Sequence, residues 1–274
     1  MIVDFHAHAF PDALAERSVA YLAAKAGIPH YSDGTAKGLA EAASRIKADY
    51  ALVLPVVTKP SQFASVNAFA KRIDDGEFDA FGVRLRSFGG IHPDSEDPFG
   101  ELAAIKEMGL KGVKLHPDYQ QTYIDDPKNL RIIERAAELG LLVSVHAGLD
   151  LGFPDCTHCT PERAKRALHL TGAENVILAH MGGFEMWREV ADVLVGERVY
   201  FDTGVVARYM DVRLATEIVR AHGAERVLFA TDSPWASFED SYGFVDALDL
   251  TDREKRMIYG ENAAKLLEIN YDMQ

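Results

Sequence analysis

The chain has 274 residues, 48% hydrophobic and 26% charged, a globular balance that excludes a disordered polypeptide and permits a large buried core. Its 29 basic and 42 acidic residues leave a formal charge of −13, which argues against nucleic acid or an anionic membrane surface as partner. No stretch approaches the ~18 apolar residues of a membrane span. Met1 leads straight into an apolar segment with no basic leader before it, so a cytoplasmic location is expected.

In chain order, short β-branched runs alternate with amphipathic segments. Strands are predicted over residues 2–6, 50–57, 85–91, 112–116, 141–146, 175–180, 198–201 and 226–230. Helices are predicted between them over 37–48, 61–76, 98–109, 127–140, 160–172, 185–195 and 214–223. Asp97-Pro98, Asp126-Pro127 and Thr160-Pro161 each set a capping residue before a proline at the first helical position. Eight strand–helix repeats with near-continuous apolar strands predict a closed parallel (β/α)8 TIM barrel, a single domain over residues 1–274. The turn after the first strand, His6-Ala7-His8-Ala9-Phe10, contains no glycine, which argues against an open dinucleotide-binding sheet.

Of the ten histidines, His6, His8, His92, His116, His146 and His180 fall at or just past the C-terminal end of a predicted strand. In a parallel barrel those ends meet at one mouth, where active sites are built, so a metal or acid–base site is expected there. His6 and His8 are two apart and face one way, predicted inward together with Asp4. Asp232 ends the eighth strand, where a carboxylate can bind a metal and take a proton from water. Lys114 and His116 form a second inward pair. A lysine there needs a partner, either Asp4 or a substrate carbonyl or carboxylate. His92 is expected to face substrate. Tyr119 and Trp235, just past strand ends, are expected in pocket walls.

Cys156 and Cys159 bracket His158, which could touch substrate from its loop. The second cysteine pair of a structural zinc site is missing. Phosphate binding finds little support, because the eighth turn, Asp232-Ser233-Pro234-Trp235, lacks glycine.

These stretches together resemble the amidohydrolase superfamily, in particular the branch that includes aminocarboxymuconate-semialdehyde decarboxylase. The resemblance runs through Asp4-Phe5-His6-Ala7-His8, Gly90-Ile91-His92-Pro93, Lys114-Leu115-His116-Pro117, Val145-His146-Ala147-Gly148, His180-Met181-Gly182-Gly183 and Thr231-Asp232-Ser233-Pro234-Trp235. It also takes in the C-terminal segment 259–267 and so covers essentially the whole chain. It implies a divalent metal, zinc first, held by His6, His8, His146 and Asp232, with His180 beside it as a further ligand or an acid–base group.

Some superfamily members bridge two metals with a carboxylated lysine on the fourth strand. His116, two residues after Lys114, departs from that pattern, and one ion is favoured over two. The implied activity is hydrolysis of an amide, lactone or ester carbonyl of a small molecule, with Asp232 accepting the proton of the attacking water. The alternative is a non-oxidative carboxy-lyase acting on an unsaturated or aromatic acid, and a third reading is a silent ligand-binding barrel. The compact length favours hydrolysis. An anionic substrate is compatible with a basic, metal-bearing mouth, and apolar-rich outer helices are compatible with a homodimer.

Overall fold

A computed structural model describes residues 1–270. Nine parallel strands line up in chain order: β1 (Val3–Ala7), β2 (Tyr50–Val53), β3 (Arg84–Ser87), β4 (Gly89–Gly90), β5 (Gly112–Leu115), β6 (Leu142–Val145), β7 (Val176–Leu178), β8 (Tyr200–Asp202) and β9 (Val227–Leu228). Only Phe88 separates β3 from β4, so the two make one stave and the staves number eight, one for each predicted run. The first and last staves are stitched together. Phe5 N donates to Phe229 O at 2.9 Å, Asp232 N to His6 O at 2.7 Å, and His8 N to Ser233 O at 2.6 Å. These bonds close the sheet into the expected (β/α)8 barrel and fix the end of β1 beside the loop that carries Asp232.

The outer ring consists of α1 (Asp12–Ala26), α2 (Ala36–Ser44), α3 (Phe63–Asp74), α4 (Pro98–Glu107), α5 (Pro117–Gln120), α6 (Pro127–Glu138), α7 (Pro161–Thr171), α8 (Trp187–Val193), α9 (Val212–His222), α10 (Phe238–Ala247), α11 (Asp252–Arg256) and α12 (Asn262–Leu267). The predicted caps form. Asp97 accepts from Gly100 N, Asp126 from Lys128 N and Thr160 from Arg163 N. Helix α1 has no counterpart among the predicted ranges. It is rich in alanine, and its buried residues are only Ala15, Val19 and Ala23, so its apolar periodicity is weak. Among the described residues no helix is long and apolar enough to cross a membrane.

Alternate residues of β5 and β6 divide between two environments. Val113, Leu115, Val143 and Val145 pack outward with the helices. Leu142 belongs instead to the interior plug with Phe5, Leu52, Phe88, Ile177 and Leu228, which α12 seals from below through Ala263 and Leu267.

Strand β1 breaks the alternation predicted for it. Its register shifts between Asp4 and Ala7. Phe5 meets Phe88 edge-on at 5.9 Å through the interior, and His6 also reaches the interior, with Nε2 3.2 Å from Lys114 Nζ. Asp4 is turned to other partners: its carboxylate accepts from Thr231 N, Thr231 Oγ1 and His6 N at 2.9, 2.6 and 3.1 Å. The expectation that Asp4 faces inward with His6 and could pair with Lys114 is therefore corrected. The lysine's neighbours are His6 and Ser144.

Candidate metal and substrate site

The mouth of the barrel gathers His6 and His8 from β1 and its exit, Lys114 from β5, and His116, His146, His180 and Asp232 from the turns after β5, β6, β7 and β9. The nitrogen Nε2 of His6 lies 3.3 Å from Nε2 of His8. Asp232 Oδ1 stands 3.2 and 3.0 Å from those two atoms. The rings of His6 and His180 stack at 5.3 Å, and His180 Nε2 is 3.1 Å from His146 Nδ1.

The far nitrogen of three rings is already committed. His6 Nδ1 donates to Asp202 Oδ2, His8 Nδ1 to Leu54 O and His180 Nδ1 to Gly204 O, each at 2.9 Å. An imidazole that carries its one proton on the bonded nitrogen presents a lone pair at Nε2, and that of His180 is already met by His146 Nδ1. The lone pairs of His6 and His8 then face each other and a carboxylate oxygen with no proton among the three. Lys114 Nζ, 3.2 Å from His6 Nε2, can donate to that one lone pair, but His8 Nε2 and Asp232 Oδ1 still repel each other unless a cation lies between them. Two imidazoles and a carboxylate, His6, His8 and Asp232, match the nitrogen and oxygen donors of a divalent transition metal.

The electrostatics agree. Burial, and next the Lys114 charge, lowers the His6 pKa to about 4, which keeps the ring neutral. Burial alone would raise Asp202 and Asp232. The neighbouring His6 and His180 nevertheless hold both carboxyls below their ordinary value, and at Asp202 the hydrogen bond from His6 Nδ1 adds to the effect. Burial lowers Lys114 to about 8, against the pull of Asp202 and Asp232.

Backbone strain marks the same place. His180 and Asp232 have φ of 61° and 64°, a left-handed region that costs an L-residue ~1 kcal/mol or more. Trp187 Nε1 holds the carbonyl of His180 at 3.0 Å and Asp202 Oδ1 accepts its N–H at 3.0 Å, so the turn is pinned from both sides.

His116 and His146 stack at 4.2 Å with planes 8° apart. Burial holds both rings well below the ordinary histidine value, helped next by the Lys114 charge at His116 and by His116 itself at His146. His146 Nε2 is buried without a hydrogen-bond partner and faces Asp118 Oδ2 and Asp150 Oδ2, each at 3.9 Å. His116 Nε2 lies 3.4 Å from Asp150 Oδ2. The sequence reading did not single out Asp118, Asp150 or Asp202. Asp202 had a legible signal, since it directly follows the predicted seventh strand at the rim level of the histidines. Asp118 and Asp150 lie two and four residues after strand-end histidines, a spacing without a pattern of its own.

A cavity of about 460 Å³ opens above these groups. Lys114, His116, Tyr119 and Trp235 line it, as do His6, His8, His146, His180 and Asp232. His92 and His158 are not in the lining. His92 Nδ1 accepts from Asp94 N at 3.1 Å, and His158 Nδ1 bonds Asp118 Oδ1 at 2.8 Å. A strand-end position brings a residue to the mouth without deciding where its side chain aims.

The chain matches the sequence profile described as Amidohydrolase over residues 3–269. No curated protein matches it. Its fold is shared with 5-carboxyvanillate decarboxylase from Sphingomonas paucimobilis, at 15% identity, TM-score 0.67 and coverage of 98% of this chain and 99% of that one. A protein assigned as a 2-pyrone-4,6-dicarboxylic acid hydrolase from Pseudomonas putida matches at 17% identity, TM-score 0.67 and coverage of 99% and 98%. A dihydroxybenzoic acid decarboxylase from Polaromonas, with manganese and 2-nitroresorcinol bound, matches at 14% identity, TM-score 0.71 and coverage of 99% and 98%.

Proposed function

The chain belongs to the amidohydrolase family of metal-dependent enzymes, and on that premise we propose that it hydrolyses an amide, lactone or ester of a small molecule at the barrel mouth. The observation that carries the reading is the meeting of the His6 and His8 lone pairs at Asp232, each imidazole being fixed in its tautomer from behind. His6, His8 and Asp232 would hold one divalent ion, zinc as the family resemblance implies, with His146 or His180 completing the coordination. A bound ion of this kind polarises a carbonyl and makes water a competent nucleophile near neutral pH.

The remaining steps fall to the side chains. Asp232, kept ionised by its histidine neighbours, accepts the proton of the attacking water. His180, which lines the cavity, orients the nucleophile, and it or Asp232 passes the proton to the leaving group. Lys114 and His116 bind the substrate carbonyl or a carboxylate beside it, and Tyr119 and Trp235 form part of the wall. We propose these roles within one barrel domain over the whole chain.

A carboxy-lyase reaction would use the same floor, and the aromatic rings of Phe69, Phe184 and Trp235 in the wall favour a flat unsaturated acid. The test follows acid release from lactones and esters, amine release from amides, and carbon dioxide release from aromatic acids, with elemental analysis of the same sample. Hydrolytic turnover that disappears with the metal in His6→Ala and Asp232→Asn is the expected result. Carbon dioxide as the sole product would move the assignment to the carboxy-lyase. Full turnover in either variant would refute the site. One ion per chain is expected. Two ions, with a carbamate resonance after labelling with ¹³C-bicarbonate, would reveal Lys114 as a carboxylated bridge instead.

A further inference from the structure

Charge is distributed unevenly in the cavity above the histidines. Among its lining residues Lys114 is the sole lysine or arginine, and it sits on the floor beside His6. Asp150 and Asp232 also face the space and add negative charge. Four further cations, Arg17, Lys25, Lys59 and Arg208, are sequence neighbours of lining residues without lining the cavity themselves, and two of them are held by aromatic side chains. Lys25 Nζ lies 3.3 Å from the ring centroid of Phe153 and 4.7 Å from that of Tyr119, so it stands at the Tyr119 edge of the cavity and away from α3, and Arg208 Nη1 bonds the hydroxyl of Tyr31.

The upper wall is largely apolar. Residues 14, 18, 22 and 26 of α1 follow one another at helical spacing of four and present Leu14, Ser18, Leu22 and Ala26 to the cavity. Val66 and Phe69 of α3 complete that side. Its polar residues, Ser18, Thr58, Gln62 and Ser65, are neutral, and Gln62 Oε1 is already taken by the Thr58 N–H at 2.8 Å.

From this distribution we infer that the enzyme takes a substrate with a single polar head, one carbonyl or one carboxylate, on an apolar body, and discriminates against dicarboxylates. The inference rests on the proposed metal-dependent reaction at this site and adds what that reaction acts on. The head reaches Lys114 and the histidines on the floor. A second carboxylate on the far end would lose its hydration against Leu22 and Phe69, with no cation to replace the water. An alkyl group in the same place gains by removing apolar surface from water.

The decisive comparison uses two acids that share a ring and differ at its far end, 4-propylbenzoate and terephthalate. Binding of each to the purified holoenzyme is measured by calorimetry, with metal content determined on the same sample. Tighter binding of 4-propylbenzoate by at least about tenfold is expected, the size of effect that one unpaired charge readily produces. Leu22→Arg puts a cation into the wall and should narrow or reverse that preference. Leu14→Arg does the same at the rim, where Leu14 is 43% exposed and substitution threatens folding least.

Terephthalate binding as tightly as 4-propylbenzoate would overturn the inference, and so would a gap that neither arginine changes. Failure of both acids to bind metal-loaded protein would also sink it while leaving the proposed reaction standing. Protein that holds no divalent metal and binds neither acid would bring down both.

Discussion

Asp202 Oδ2 accepts from His6 Nδ1 at 2.9 Å, while its other oxygen accepts the backbone N–H groups of His180 and Gly204 at 3.0 and 2.9 Å. One fully buried carboxylate thus sets the tautomer of His6 and the shape of the turn that carries His180. Asp202→Asn keeps an oxygen for the two backbone donors but turns an amide N–H₂ toward His6. The ring must then accept at Nδ1 and carry its proton on Nε2, in the middle of the donor set. Metal affinity should fall by about 10–100-fold, the usual effect of losing such an outer partner. Competition with a chromophoric chelator measures it, and an affinity equal to wild type would show that Asp202 does not govern the tautomer.

The arrangement of the barrel was largely readable from the sequence, and the aim of its side chains was not. Each of the eight predicted runs became a stave, because β-branched runs flanked by capping residues and prolines are local signals. Histidines at strand ends converge by topology alone, so the meeting of His6, His8, His180 and Asp232 could be anticipated from their positions. The register shift in β1 has no local signature, and strict alternation therefore misdirected Asp4. Helix α1 could be given no bounds because alanine gives almost no periodic contrast, although one of its faces walls the cavity. His92 stands at its predicted strand end but spends Nδ1 on the N–H of Asp94, two residues on, and His158, expected to reach substrate from its loop, spends Nδ1 on Asp118, a neighbour that only the folded chain brings close.

The second prediction concerns that last pair. Asp118 is fully buried, and its Oδ1 takes both the N–H and Nδ1 of His158, at 3.0 and 2.8 Å. Its Oδ2 has no hydrogen-bond partner and points toward His146. His158→Ala strips one donor from a buried carboxylate that burial already pushes above its ordinary value. The loss should approach the ~3 kcal/mol typical of a broken buried pair. Asp118→Asn combined with His158→Ala removes the charge as well as its partner, so the double variant should be less destabilised than the sum of the two single changes. Urea denaturation of the three variants checks this. Strict additivity would mean that the pair is not coupled.

The third prediction turns on Gly148, two residues beyond His146. Its φ is +85°, and a Cβ there would lie 2.0 Å from Phe184 N and 2.4 Å from Phe184 O. The approach is this close because two hydrogen bonds fasten the exits of β6 and β7 together: Phe184 N donates to Ala147 O at 2.9 Å, and Leu149 N donates to Phe184 O at 3.0 Å. These exits carry His146 and His180, whose facing nitrogens are 3.1 Å apart. A methyl group cannot be absorbed by rotating a side chain, since the atoms it meets are backbone. Gly148→Ala must therefore spread the two loops and separate the two histidines. We expect destabilisation of about 4 kcal/mol or more, at the extreme of single substitutions. In whatever fraction folds, metal binding should weaken and the cavity wall at Phe184 should move. Denaturant midpoint and chelator competition on the same preparation read both effects. An unchanged midpoint would show that the contact between Gly148 and Phe184 is looser than the fold requires. A shifted midpoint with intact metal affinity would show that His146 and His180 hold their places without it.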